Sequence, residues 1–261
     1  MTPGLTGPHH PRSSEALRRC CAGAALLLAV AVVVPPFYGL ARRYEFAEAV
    51  QFAVFAMAVP ALLVLGAPSE RGHLAGGGRL SRWIDRLASG RRLHRSAARS
   101  ALFLGGFMAA AVAWRTPGAV AALERDPWLV ALEGASLVAV GAGFWLELVE
   151  SGRLVPRARR PLRGVMAAVG MWTVWTVSYL GGFSSTSWYT GFHHLAGHLS
   201  AGADQQFSTA VCWLVAAVAF MPVVFWNLLV WLRSEEDVEL GRGTPVPEAR
   251  PSRMGGSPVS S

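Results

Sequence analysis

Three of the chain's seven histidines fall within six positions, His193, His194 and His198, in the run GFHHLAGHLSAGADQQ that ends at Gln206. His194 and His198 stand four apart, so a helix there would put two imidazoles on one face, a spacing that suits a shared metal ion. Gly191, Gly197 and Gly202 weigh against helix. The same run therefore also reads as a polar loop at a membrane surface. Trp188 and Tyr189, just ahead of it, fit the aromatic belt of a membrane–water boundary. Glu48, Glu133 or Asp204 could complete a metal site, each a carboxylate in or beside an apolar stretch. Cu(I) would call for Cys or Met as well. Cys212 lies more than two turns past Asp204, and Cys20 and Cys21 belong to the opposite end of the first apolar run. No Ser/His/Asp arrangement, HExxH or phosphate loop occurs, so the chain is not expected to be an enzyme.

What must position these groups is a set of membrane helices. The chain has 261 residues, of which 52% are hydrophobic and only 15% charged, against about 25% charged in soluble domains. Six stretches approach the ~20 apolar residues that a spanning helix needs: about 20–40, 46–66, 97–114, 127–147, 164–183 and 207–232. The expected fold is an all-α polytopic membrane bundle occupying residues 16–233. Residues 1–15 and 234–261, polar and rich in Pro, Gly and Ser, are expected to be disordered tails.

The net charge of +8 is carried by Arg alone, since the chain has no Lys. Eight Arg lie from Arg71 to Arg99, mostly in a basic loop at 69–96, and five from Arg153 to Arg163. Cytoplasmic loops collect Arg, so both loops and both termini are expected on the cytoplasmic side, and the Arg-free stretch 184–206 outside. Topology thus accounts for the charge, and no nucleic acid is expected as a partner. Leu80, Trp83, Ile84 and Leu87 share a helical face in the basic loop and predict a helix lying on the cytoplasmic leaflet. Glu147 and Glu150 fall at the cytoplasmic end of the fourth span and are expected to be solvated or ion-paired.

This topology gives the polar residues a depth. Glu48 and Gln51 lie near the outer end of the second span, three apart and hence on one face. Glu133 is six residues past Pro127, about 9 Å down the fourth span. Asp204, Gln205 and Gln206 open the sixth. Residues far apart in sequence thus converge on one level of the membrane. Ionisable groups inside spans are costly and face a bundle interior or a cavity. A helix-packing role for Glu133 stays open beside a functional one.

Three segments carry a family resemblance. EAVQFAVFAMAVPALLVLGAP (48–68) resembles the HMxQHxLL…PPLLxLGAP signature of CtaG-type cytochrome c oxidase assembly factors. ADQQFSTAVCW (203–213) is similar to that family's ADQQxxGxxMW, and LEGASLVAVGAGFW (132–145) to its LEHxxF…FW span. The matching polar positions are Gln51, Glu133, Asp204, Gln205 and Gln206. Where the pattern has histidines, this chain has Glu48, Phe52 and Gly134.

The resemblance implies a multi-pass protein of the bacterial plasma membrane that meets cytochrome c oxidase subunits and assists in forming the oxidase copper centre. Copper is the cofactor it implies. The shared depth of the residues, rather than the resemblance, makes His193, His194, His198, Glu48, Glu133 and Asp204 the expected ligands at the outer face. Two other readings fit the residues. One is a metal-free scaffold for oxidase subunits, favoured by the missing histidines. The other is a small-solute or ion transporter built around Glu133, against which the lack of an internal repeat counts.

Overall fold

A computed structural model of the chain describes residues 11–66, 97–150, 156, 158–184, 188–189, 191–192 and 199–243. The described residues are helical, without strand. The helices are α1 (Pro11–Ala31), α2 (Phe37–Ala41), α3 (Glu45–Leu65), α4 (Ala97–Trp114), α5 (Pro117–Arg125), α6 (Trp128–Leu148), α7 (Arg160–Gly182) and α8 (Ala201–Gly243). Three stretches are long and apolar enough to cross a membrane: Glu45–Leu65, Trp128–Leu148 and Ala201–Glu236. Ala98–Trp114 is a shorter apolar helix. The three histidines of the 191–206 run, the basic loop with its expected surface helix, and Arg153 lie outside the described residues.

Several helix ends differ from expectation for local reasons. The first span was expected to run through to about residue 40, but α1 stops at Ala31 and the chain turns through Val32–Pro36 before α2. Proline has no N–H and disfavours helix in the residue before it, and here two prolines are adjacent. Their peptide bond is cis. The stretch after Trp114, expected as a loop, contains α5. Thr116 caps that helix by accepting from the Ala119 N–H at 3.4 Å, and Pro117 takes the first helical position, where a missing N–H costs nothing. The last helix runs on past residue 232 to Gly243. At 1.5 Å per residue its 43 residues reach about 64 Å, twice a bilayer core of ~30 Å.

Helix α3 carries a wider π turn at Val54–Ala58, in which the Val59 N–H reaches back to the Val54 carbonyl. Pro60 follows, and it cannot donate to the Ala56 carbonyl. This irregular stretch packs on α6, and two glycines allow the approach. A Cβ on Gly134 would stand 3.0 Å from the Phe55 ring, and one on Gly141 would stand 2.7 Å from Pro60 Cγ and 3.0 Å from the Ala56 carbonyl oxygen. A proline ring and a backbone carbonyl cannot swing aside. Gly141→Leu is therefore expected to destabilise the chain by about 3 kcal/mol through overpacking, while Gly118→Ala, where a Cβ meets nothing within 4 Å, should not. Thermal melts of the detergent-purified variants check both.

Elsewhere α8 packs along α7 and the first half of α3, α4 packs on α6 and α7, and α1 packs on the second half of α3. The core is aromatic: Phe107 stacks on Phe144 at 4.7 Å between ring centres, and Trp145 stacks on Phe220 at 5.4 Å. At the end of the bundle where α4 and α7 begin, Glu147 is buried rather than solvated, paired with Arg99 at 3.0 Å and accepting from Ser100 Oγ at 3.0 Å. Glu150 accepts from Arg163 at 2.6 Å, and that hydrogen bond holds its carboxyl below the usual range.

Candidate functional site

The opposite end gathers the N-termini of α3, α6 and α8 and the C-termini of α4 and α7. Its centre is Arg115, the residue that follows α4. Its side chain is 6% exposed. One guanidinium nitrogen donates to a carboxylate oxygen of Glu48, whose side chain is equally buried. The other donates to Ser208 Oγ at 3.0 Å. The planar cation also lies over two rings, 5.5 Å from the centre of Phe52 and 5.3 Å from that of Tyr189. These positions suit the attraction of a cation to aromatic faces. Tyr189 closes the group by donating its hydroxyl to the Arg115 carbonyl at 2.9 Å. One side chain thus joins α3, α8 and the segment after α7.

Burial pushes the Tyr189 phenol up to about 12 from its ordinary value of 10.0, so it remains a donor. The folded state holds this proton more tightly than the unfolded chain. Its contribution is complete below pH 10 and declines as pH rises through the folded value of about 12. Tyr189→Phe should cost about 1 kcal/mol at neutral pH and flatten the alkaline decline, as read from melts across that pH range.

Asp204 is committed elsewhere. Helix α3 begins at Glu45, and Tyr44 before it offers no side-chain cap. The first N–H groups of a helix lack partners within it. Asp204, from α8, supplies both: Oδ2 accepts from the Glu45 N–H at 2.7 Å and Oδ1 from the Phe46 N–H at 3.0 Å. Its negative charge also suits the positive end of the helix. Gln205 is a second strap. Its Oε1 accepts from the Trp188 N–H at 3.1 Å, and its Nε2 donates to the Gly181 carbonyl at the end of α7. Gln206 is exposed. Gln51 repairs the break in the first span: its Nε2 donates at 2.6 Å to the Val32 carbonyl, which in a continued helix would need the N–H that Pro36 lacks.

Glu133 is 1% exposed, and Glu48 and Arg115 are the charged groups acting on it. The backbone beside it is tied to α4, since Trp114 Nε1 donates to Ser136 Oγ at 2.8 Å and Ser136 donates to the Glu133 carbonyl at 2.9 Å. Glu133 Oε1 and Glu48 Oε1 have no hydrogen-bond partner among the described residues. A cavity of about 20 Å³ is lined by Glu48 together with Tyr38, Arg42, Gln51, Glu124 and Phe192. A polar space of this size holds one water molecule. Glu124 forms part of its wall, and burial raises its carboxyl above the usual range.

The structure therefore brings Glu48, Gln51, Glu133, Asp204 and Gln205 to one end of the bundle, as their depths predicted, and leaves Gln206 outside the contacts. His193, His194 and His198 lie outside the described residues. The foot of their loop is described: Tyr189 and Phe192 form a small apolar cluster with Val120 of α5, and Trp188 packs on it. Arg115 and Ser208 were not singled out from sequence, and Tyr189 was read only as part of an interfacial aromatic belt. The available signal was that a carboxylate at the depth of Glu48 needs a cation, and Arg115 is the basic residue that ends a span at that depth.

The family model for the cytochrome c oxidase caa3 assembly factor matches residues 6–234. The chain belongs to this assembly factor family. Comparison with curated proteins and with solved structures finds no match. Assembly factors are not a class of enzyme. Of the polar positions that this family member shares with the motifs, Asp204, Gln205 and Gln51 are each engaged in joining one helix to another. At the positions where the motif carries histidine, Glu48 and Phe52 both contact the Arg115 guanidinium, and Gly134 receives the Phe55 ring.

Whether this cluster suits copper can be judged from its donors. Both Asp204 oxygens accept backbone N–H groups, and Glu48 is paired with a guanidinium. Carboxylates are poor ligands for Cu(I), and a fixed positive charge among them repels a second cation. The two unpartnered oxygens call for a hydrogen-bond donor, which a single water in the adjoining cavity can offer Glu48. Among the described residues no three His, Cys, Asp or Glu side chains are arranged to hold a metal ion. The buried carboxylate cluster does not fit the metal.

Proposed function

We propose that this assembly factor acts in the bacterial plasma membrane as a six-span scaffold that holds cytochrome c oxidase subunits through its helix faces during maturation. On this reading both termini face the cytoplasm and the Arg115 end faces outward. The observation that carries it is the commitment of the motif residues to helix–helix joints: Asp204 caps α3, and Gln205 straps α7 to α8. A bundle tied this way presents a constant outer surface, which a scaffold needs. Large apolar side chains line that surface on α8, among them Phe207, Leu214, Val218, Phe225 and Trp226. In cells lacking the chain, oxidase subunits should be made but fail to accumulate as assembled enzyme. Crosslinking through a photoreactive residue at Val218 should capture an oxidase subunit. Normal oxidase levels in the deletion strain would remove the proposal.

A second reading keeps copper as cargo and assigns it to the outer loop with His193, His194 and His198. One observation favours it: the loop's foot is anchored by Tyr189 and Phe192 beside Glu124, whose carboxylate abuts Gly191. On this reading a strain carrying His193→Ala, His194→Ala and His198→Ala assembles an oxidase deficient in copper, and added copper restores it.

A further inference from the structure

We propose that Arg115 is the resident cation of this chain's polar centre, a tethered guanidinium that closes the centre to metal and latches α3, α4, α8 and Tyr189 together. The contact geometry is that of a bound cation. The fork places one nitrogen on the Glu48 carboxylate and another on Ser208 Oγ at 3.0 Å, and its central carbon lies over both the Phe52 ring, at 5.5 Å, and the Tyr189 ring, at 5.3 Å. Two of these partners, Glu48 and Phe52, stand at positions where the family motif carries histidine. The third such position, Gly134, is filled from α3 by Phe55. A lysine could not reproduce the arrangement, because a point charge has neither the planar fork nor the flat faces that stack on rings.

The substitution set is internally consistent. A carboxylate replaces an imidazole where a guanidinium needs a counter-charge, an aromatic ring replaces another where it needs a face, and a glycine makes room for the side chain that fills the remaining space. The charged and titratable groups around Arg115 are Glu48 and Glu45 from α3, Glu133 from α6, Tyr189 from the segment after α7 and Cys212 from α8. Cys212 is the sole soft donor among them. It is buried with the Arg115 charge already acting on it, and a fixed positive charge repels a second cation. The inference rests on the scaffold reading only in that the centre is not exchanged with a client; its own test is made on the isolated protein, so each can fail without the other.

The test uses the full chain purified in detergent. Arg115→Ala should lower the melting temperature by about 6–12 °C. Ethylguanidinium chloride at millimolar concentration should recover part of that loss, while ethylammonium chloride should not. Arg115→Lys should melt below the native chain, and it supplies the comparison if Arg115→Ala does not accumulate. Titration with Cu(I) against a chromophoric chelator should show the same affinity, or the same lack of binding, in the native chain and in Glu48→Gln. Loss of Cu(I) affinity by about tenfold or more in Glu48→Gln would overturn the proposal. So would Arg115→Ala or Arg115→Lys melting with the native chain, or an equal response to the two organic cations.

Discussion

Replacing Arg115 by Ala should cost about 3–5 kcal/mol of stability, because it strands the Glu48 carboxylate in a buried site without its counter-charge. The same change removes the donor to Ser208 and the cation that lies over the Phe52 and Tyr189 rings. Its sign rests on an asymmetry: breaking a buried pair is costly, whereas removing both charges is often close to neutral. The double variant Arg115→Met with Glu48→Leu should therefore be more stable than Arg115→Met alone. A double-mutant cycle measured by thermal melts isolates the coupling between the two residues. If the two single losses simply add, Arg115 and Glu48 do not act as a pair.

Asp204→Ala should be nearly as damaging, at about 3 kcal/mol, since hydrogen bonds to a charged acceptor contribute roughly 1.5–3 kcal/mol each and two are lost. The two N–H groups at the start of α3, one buried and one partly buried, are then left without their acceptor. Asp204→Asn keeps one carbonyl acceptor and should lose about half as much. Gln206→Ala is the control: the residue is exposed and should change stability by less than about 0.5 kcal/mol. Helix content and melting by circular dichroism on the three variants give the ranking. An Asp204→Ala chain that melts with the native protein, and loses only a metal-linked property, would contradict the capping role.

The helices were legible because apolar length is a strong signal, and the expected 97–114, 127–147 and 164–183 stretches reappear as α4, α6 and α7 within a few residues at each end. The shared level of Glu48, Glu133 and Asp204 was legible as well, from their distances to the helix starts. The roles of these residues were not. A carboxylate at the start of a helix looks the same in sequence whether it will take a metal, cap another helix or pair with an arginine. Asp204 reaches the start of α3, and α3 lies more than 150 positions earlier in the chain. No spacing rule connects two such segments. Arg115 was hidden for a related reason. It follows an apolar span in a stretch that also holds Glu124, Arg125 and Asp126, so it reads as one more charge in a short loop. Only packing shows that it turns inward. The break at Val32–Pro36 was readable from two adjacent prolines, but neighbouring helices often accommodate prolines within spans; here the repair comes from Gln51.

On the proposal above, a protein-borne cation, rather than a bound metal, organises the polar end of the bundle. The most direct measurement compares two variants in a strain lacking the native chain, reading assembled oxidase in membranes from its haem spectrum and activity, with the amount of variant protein measured alongside. The chain with His193→Ala, His194→Ala and His198→Ala should restore oxidase as the native chain does, and Arg115→Lys, present at comparable level, should restore it poorly. Oxidase restored fully by Arg115→Lys and lost with the three histidines would contradict it.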